Sequence, residues 1–263
     1  MTRGVLLFAF NIENVNYYEM AVSTAKRVKH FLNLPSTLIT NNKSLPIVQN
    51  YNFDKVIIVD SDNTNKKGKN LWLNKGRYQA YELSPYDETI VLDTDYLVNS
   101  DRLNQLFDLY DDFMVAKEIS FLMSNNNEEE TISTYSFPTL WATVMIFRKT
   151  ERVKQIFECL EMVQKNYMHY ASLYHFAPGM YRNDYGITIA LRIINGNTTD
   201  NKDYIPWKLI HLGKEATAHR INDTEFNTEY MILNNEEKPK YIKIKDIDFH
   251  LMSKSNYMDV VDE

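Results

Sequence analysis

Thr89-Ile-Val-Leu92 is a short apolar run that stops at two carboxylates one residue apart, Asp93-Thr94-Asp95. A run of this length and composition reads as a strand buried on both faces, as in a parallel sheet, and a helix start follows at Ser100 or Asp101. Charged groups so close to a buried strand are costly unless something compensates them. On a strand, residues i and i+2 share a face, so with the extended geometry continued Asp93 and Asp95 converge on one cation.

Other apolar runs repeat the pattern. Gly4–Phe10, Ser36–Thr40, Lys55–Asp60, Phe113–Ala116 and Thr139–Phe147 read as strands. Between them come helical periods: Met20, Ala21, Thr24, Ala25, Val28 and Leu32; Leu71 to Leu83, ended by Pro85; and Leu103, Leu106, Phe107 and Tyr110. Thr150 caps a helix bearing Val153, Ile156, Phe157, Leu160 and Val163, and Asn183–Ile194 is a helix closed by Asn195-Gly196. Strands alternating with helices imply an α/β fold with a mostly parallel central sheet flanked by helices, Rossmann-like in its winding. In such sheets ligands gather beyond the carboxyl ends of the strands, so the tips at Phe10, Asp60 and Asp93 border one crevice. Toward the C-terminus, Tyr241 to Phe249 alternates as one antiparallel strand with a wet face. Met123 to Ser136 has no apolar period and reads either as a lid or as a solvated insertion.

At 263 residues the chain suits a single domain, with 1–116 as one half and 137–263 as the other. A net charge of −6 excludes a surface that is basic all over, although a local basic groove is compatible with it. The single Cys159 rules out an internal disulfide and reads as a core thiol. With no signal-peptide pattern and no apolar run of the ~20 residues that span a bilayer, the expectation is a soluble, cytoplasmic protein.

Seven glycines, none in a phosphate-cradling loop, leave a bound diphosphate dependent on a cation and basic side chains. Asp93 and Asp95 suit Mg²⁺ or Mn²⁺, hard ions that take carboxylate and phosphate oxygens together. His250 is a third ligand of the right type, with the Lys254 ammonium four residues on to pair with the diphosphate; His211 is its rival.

The order of an apolar first strand, a Leu-Asp-x-Asp-x-Leu strand tip, a Trp-Ala-Thr-Val-Met-Ile-Phe strand, an Asn-Asp helix start and a late His with a following Lys resembles the GT-A nucleotide-diphospho-sugar glycosyltransferases, glycogenin-like enzymes above all. The texture, rich in Asn, Lys and Tyr, is also similar to that of glycosyltransferases of tailed phages, some of which modify hydroxymethylated DNA bases. The resemblance implies a nucleotide sugar, UDP-linked, as donor substrate. It assigns the metal to Asp93, Asp95 and His250, with Thr94 between the acids beside the donor. Lys254 is then the diphosphate lysine, Phe8, Ala9, Phe10 and Asn11 the nucleotide-base site, and Arg77 a contact to donor phosphate or sugar. Trp141, Ala142 and Thr143 stand where the family lines the sugar site. Asp184 corresponds to an acid near the reacting sugar, its alternative being a helix cap. A DNA acceptor would use Lys66, Lys67, Lys69, Lys238, Lys240, Lys243 and Lys245 as phosphate contacts. Two other classes remain open on the residues alone: a metal-dependent phosphohydrolase or nucleotidyltransferase, and a non-catalytic binding module.

Overall fold

The computed structural model describes residues 1–261 except 14, 43–51, 61–63, 68–69, 124–129, 135, 178, 199–200 and 235–239. β1 (Arg3–Phe8) leads to α1 (Tyr17–Arg27), which continues as a π-helical turn over Val28–Leu32, and then to β2 (Ser36–Thr40) and β3 (Lys55–Ile58). A small hairpin of β4 (Lys66–Lys67) and β5 (Asn70–Leu71) and the single-turn α2 (Ala80–Leu83) precede β6 (Glu88–Leu92) and β7 (Tyr96–Leu97). Next come α3 (Leu106–Leu109), β8 (Phe113–Ala116), β9 (Ile119–Phe121) and β10 (Trp141–Arg148). After α4 (Glu151–Lys165), α5 (Tyr167–Leu173) and α6 (Asn183–Ile194), the chain ends with β11 (Leu209–Leu212), β12 (Ala216–Arg220), β13 (Glu229–Asn234), β14 (Tyr241–Lys245), β15 (Phe249–Leu251) and α7 (Lys254–Val260).

The central sheet has the order β3-β2-β1-β6-β10-β8, with β10 alone running against the other strands. It is the mostly parallel, helix-flanked sheet that the alternation of runs implied. β6 lies between β1 and β10, and all five of its residues are buried. Side chains alternate across the sheet. Leu6, Phe8, Val91, Met145 and Phe147 pack toward α4 and α6, while Val5, Leu7, Ile90, Leu92 and Ile146 pack toward α1. Each fully buried aliphatic side chain of this kind stabilises the fold by roughly 1.5–3 kcal/mol.

A second sheet, β7-β15-β11-β9, joins the end of the chain to the segment just after Asp95: Phe249 pairs with Leu97, and His250 with Tyr96. The antiparallel sheet β12-β13-β14 and α7 close a separate apolar cluster against it. Arg27, 1% exposed, donates to the carbonyls of Val98 and Asn227, both at 2.8 Å, and to the side chain of Asn99, tying α1 to both C-terminal sheets.

Three expected elements differ. The helix expected over Leu71–Leu83 begins as a 3-10 turn at Lys75 and is α-helical only from Ala80, because Leu71 is drawn into the β4–β5 hairpin. The helix after the Asp pair is a 3-10 turn at Arg102–Gln105 followed by the one turn of α3. The strand expected from Tyr241 to Phe249 is two strands in different sheets, separated at Asp246, whose positive φ of 54° breaks the extended backbone. Among the described residues, no helix is long and apolar enough to cross a membrane.

Candidate metal and nucleotide site

β6 ends at Leu92, and the residues after it turn instead of running on: the Tyr96 amide donates to the Asp93 carbonyl at 3.1 Å. The extended geometry assumed for the Asp pair therefore gives way to a tight turn, and the turn is what lets both carboxylates face one point. It is clamped on three sides. The Asp93 amide donates to the Thr143 carbonyl at 3.0 Å, the Thr24 hydroxyl donates to the Thr94 carbonyl at 2.7 Å, and the Leu251 amide donates to the Asp95 carbonyl at 3.0 Å. These bonds come from β10, α1 and β15 respectively.

Onto this turn the C-terminal segment brings two side chains. His250 Nε2 lies 3.1 Å from Asp95 Oδ2, and the Lys254 ammonium contacts the same oxygen. From the opposite side the Arg77 guanidinium contacts Asp93 Oδ1 and donates to the Ala142 carbonyl at 2.8 Å. One ligand atom each from Asp93, Asp95 and His250 falls within 4.8 Å of the others. Burial pushes the His250 imidazole down to about 4, Asp184 opposing and Arg77 adding to the shift, so at neutral pH its ring is uncharged and carries a lone pair. Burial, reinforced by Arg77, lowers Lys254 to about 8, and burial lowers Arg77 to about 10 against the pull of Asp184 and Tyr181; both still hold their protons at pH 7.

Two carboxylates and a neutral imidazole are together a donor set that would hold a divalent cation, and the buried Nδ1 of His250 has no hydrogen-bond partner among the described residues. His211, the rival ligand, lies beside His250 in the adjacent strand with ring centroids 4.7 Å apart, yet outside the donor cluster. It is fully buried, edge-on to Trp141 at 5.1 Å, and burial pushes its pKa well down, with His250 adding to the effect.

These groups sit on one wall of a cleft of about 910 Å³. Phe8, Phe10, Thr94, Trp141, Thr143 and Asp184 also line it, beside the metal-site residues, Arg77 and Lys254. Two residues expected at the base site do not. Ala9 is fully buried on the opposite face of the sheet among the residues packed on α1, as the two-residue period of a strand requires of the residue between Phe8 and Phe10. Asn11 builds the approach to α1, donating to the Asn16 side chain at 2.7 Å and accepting from the Tyr18 amide at 2.9 Å.

Asp184 is not the helix cap. The cap position of α6 is Arg182, and the Asp184 carboxylate reaches across to β10, accepting from the Ala142 amide at 2.9 Å, while its other oxygen meets Arg182 at 3.3 Å. Backbone atoms of Ala142 thus hold both Arg77 and Asp184. Arg182 continues to Glu130 at 3.0 Å and lies over the Tyr185 ring. Arg182, Glu130, Trp72 and Lys214, all on the cleft wall, were not singled out by sequence reasoning. The one local signal was an arginine directly before the Asn183-Asp184 pair; the others carry none.

Of the lysines considered for DNA, Lys66, Lys240 and Lys243 are exposed and Lys245 pairs with Glu229 at 2.7 Å. The Lys67 side chain, Lys69 and Lys238 lie outside the described residues. The same holds for 124–129 and 135, the greater part of the segment read as a lid or an insertion.

No protein-family profile matches the sequence, and no curated protein does. Solved structures do. Mouse xyloside xylosyltransferase 1 in its apo form is similar with a TM-score of 0.48 at 12% identity, over 81% of this chain and 85% of its own. The galactosyltransferase LgtC, in complex with donor and acceptor sugar analogues, gives 0.45 at 14% identity over 72% and 70%. The glycosyltransferase GlyE of Streptococcus pneumoniae gives 0.43 at 14% identity, with 78% of this chain covering only 45% of GlyE, so the chain spans less than half of that protein's length. Likeness at this level carries no argument about activity. The mostly parallel sheet with its one reversed strand, flanked by helices, and the separate antiparallel sheet make a mixed α/β fold, with the Asp-Thr-Asp turn at the end of a central strand.

Proposed function

We propose that this chain is a divalent-metal-dependent glycosyltransferase that moves a sugar from a nucleoside diphosphate donor, UDP-linked, to a hydroxyl acceptor. The observation that carries the reading is the convergence of Asp93, Asp95 and His250 within 4.8 Å at the carboxyl end of the central sheet, inside a cleft large enough for a nucleotide sugar. Mn²⁺ or Mg²⁺ bound there supplies the positive charge that a departing diphosphate requires. In this reading residues 1–116 form the nucleotide half and 137–263 the sugar and acceptor half. Phe8 and Phe10 offer an apolar wall to the base, and Lys254 and Arg77 bring positive charge to the phosphates, where negative charge grows in the transition state. Asp184, fixed by Ala142 and Arg182, orients the sugar or the incoming hydroxyl. The sugar moved is a hexose or a pentose.

The test is to incubate the full chain with UDP-sugars, Mn²⁺ or Mg²⁺ and a panel of acceptors that includes glycans and hydroxymethylated duplex DNA, and to analyse the products. Release of UDP together with a sugar-bearing product, or with free sugar when no acceptor fits, is the expected result. Release of pyrophosphate or inorganic phosphate instead would assign the carboxylates to phosphoryl or nucleotidyl transfer. The absence of any turnover and of any donor-dependent thermal shift would leave a binding module.

A further inference from the structure

Asp95 Oδ2 serves two partners at once. His250 Nε2 reaches it at 3.1 Å, and the Lys254 ammonium contacts the same atom, while Asp93 Oδ1 holds the Arg77 guanidinium. Both carboxylates that would ligate a cation are thus already neutralised by side chains of the chain itself. A divalent ion reaching Asp95 must share or displace the ammonium, because two cations close together repel strongly where burial limits screening.

Lys254 is built to let go. It is the first residue of α7, and its long side chain is held only at the ammonium tip, by Asp95 among the described residues. The rest of α7 is anchored independently. Asn256 exchanges hydrogen bonds with both backbone groups of Ala218, at 2.7 and 2.9 Å, and the hydroxyl of Tyr257, fully buried, donates to the Met20 carbonyl at 3.2 Å and lies 3.1 Å from the Thr24 hydroxyl. The side chain can therefore leave Asp95 by rotation about its own bonds, with the helix in place. Ser253, Lys254 and Ser255 all line the cleft, so a diphosphate there lies within the sweep of the ammonium.

We infer that Lys254 is an internal counter-ion that competes with the divalent cation for Asp95 and is drawn off by the diphosphate, so that cation and nucleotide bind cooperatively and the cation alone binds weakly. The inference rests on the metal and diphosphate reading above and adds a coupling between the two ligands. By linkage the coupling is reciprocal: UDP tightens Mn²⁺ by the same factor as Mn²⁺ tightens UDP. Arg77 stays with the protein in either state through its bond to the Ala142 carbonyl.

Mn²⁺ binding to the full chain, followed by the loss of the free-ion electron paramagnetic resonance signal, tests this without turnover. In the absence of nucleotide, Lys254→Met is expected to bind Mn²⁺ roughly tenfold or more tightly than the wild type, the scale of releasing a charged hydrogen-bond partner. Lys254→Arg, which keeps the charge, is expected to stay near the wild-type value. Saturating UDP should tighten Mn²⁺ on the wild type and do so far less on Lys254→Met. Equal or weaker Mn²⁺ binding by a Lys254→Met protein with an unchanged thermal midpoint overturns the counter-ion role, as does wild-type Mn²⁺ affinity that is indifferent to UDP. Failure of the underlying reading looks different: Asp95→Asn would then bind Mn²⁺ as the wild type does.

Discussion

The wall carrying Asp93 and Asp95 is the end of β6, five buried residues between β1 and β10 in the middle of a six-stranded sheet. The wall carrying His250 and Lys254 is the three-residue β15 and the seven-residue α7, held on by Asn256, Tyr257 and the pairing of β15 with β7 and β11. The first is positioned by apolar burial on both faces of a sheet; the second combines apolar burial of Phe249, Leu251, Tyr257 and Val260 with directional polar bonds at Asn256. Burial is non-directional and shared among many neighbours, so it gives a rigid base. A handful of hydrogen bonds fixes a side chain well but fails as a unit when one is lost. The first wall carries the carboxylates that must be preorganised, and the second carries Lys254, inferred above to leave Asp95 for the diphosphate.

Asp95 is the point where the walls meet, so its loss should have the largest effect. Asp95→Asn keeps the shape but removes the charge that His250 and Lys254 share, and UDP release from a UDP-sugar with Mn²⁺ should fall by roughly 10²–10³-fold. An Asp95→Asn protein within a factor of a few of wild type would break the picture of one shared site. Ile90→Ala, in the fully buried centre of β6, should cost about 2–5 kcal/mol in chemical unfolding, through lost burial and the cavity left behind. Both walls should then loosen together, since the Asp turn rides on that strand.

Asn256→Ala separates the walls. Leaving both Ala218 backbone groups unpaired should cost roughly 1–3 kcal/mol and weaken UDP binding, while a Tyr-to-Phe change at Tyr257, which keeps the ring, should cost less. An Asn256→Ala protein as stable as wild type would show that α7 is held by packing after all.

The smallest effects distinguish the walls by pH. On β6, burial would raise the Glu88 carboxyl, but hydrogen bonds from Arg148, Arg3 and Tyr110 outweigh it and hold it below the usual range. A depressed carboxylate contributes stability that is present above its unfolded pKa, about 4.3, and is lost as pH falls through the folded value; Glu88→Gln should flatten that acid limb. At the start of β15, burial pushes Asp248 up to about 6, against hydrogen bonds from Asn99 and Ser100. The sign reverses: the folded state binds the extra proton between the unfolded pKa of about 3.9 and the folded one, so stability falls by roughly 1–3 kcal/mol as pH rises across that window. Asp248→Asn keeps Oδ1 as acceptor for Asn99 and Ser100 and should remove the slope. Thermal midpoints from pH 3 to 8 read both limbs, and identical profiles for the two variants would count against the contrast.

The sequence by itself determined the alternation of strands and helices, the burial of β6 and the carboxylates at its end, because apolar period and residue type are local and survive without knowledge of neighbours. It also contained the fact that Ala9 faces away from Phe8 and Phe10, which the two-residue period of a strand demands. Tertiary structure decided the rest of the site. Which histidine joins the Asp pair turns on β15 pairing with β7, a contact between the end of the chain and a segment far before it. The use of Asp184 as a partner of Ala142 and Arg182 depends on where α6 meets β10. The Asp-Thr-Asp turn is set by bonds from Thr143, Thr24 and Leu251. Each of these is a meeting of residues remote in the chain, whose geometry exists only once the sheets have packed.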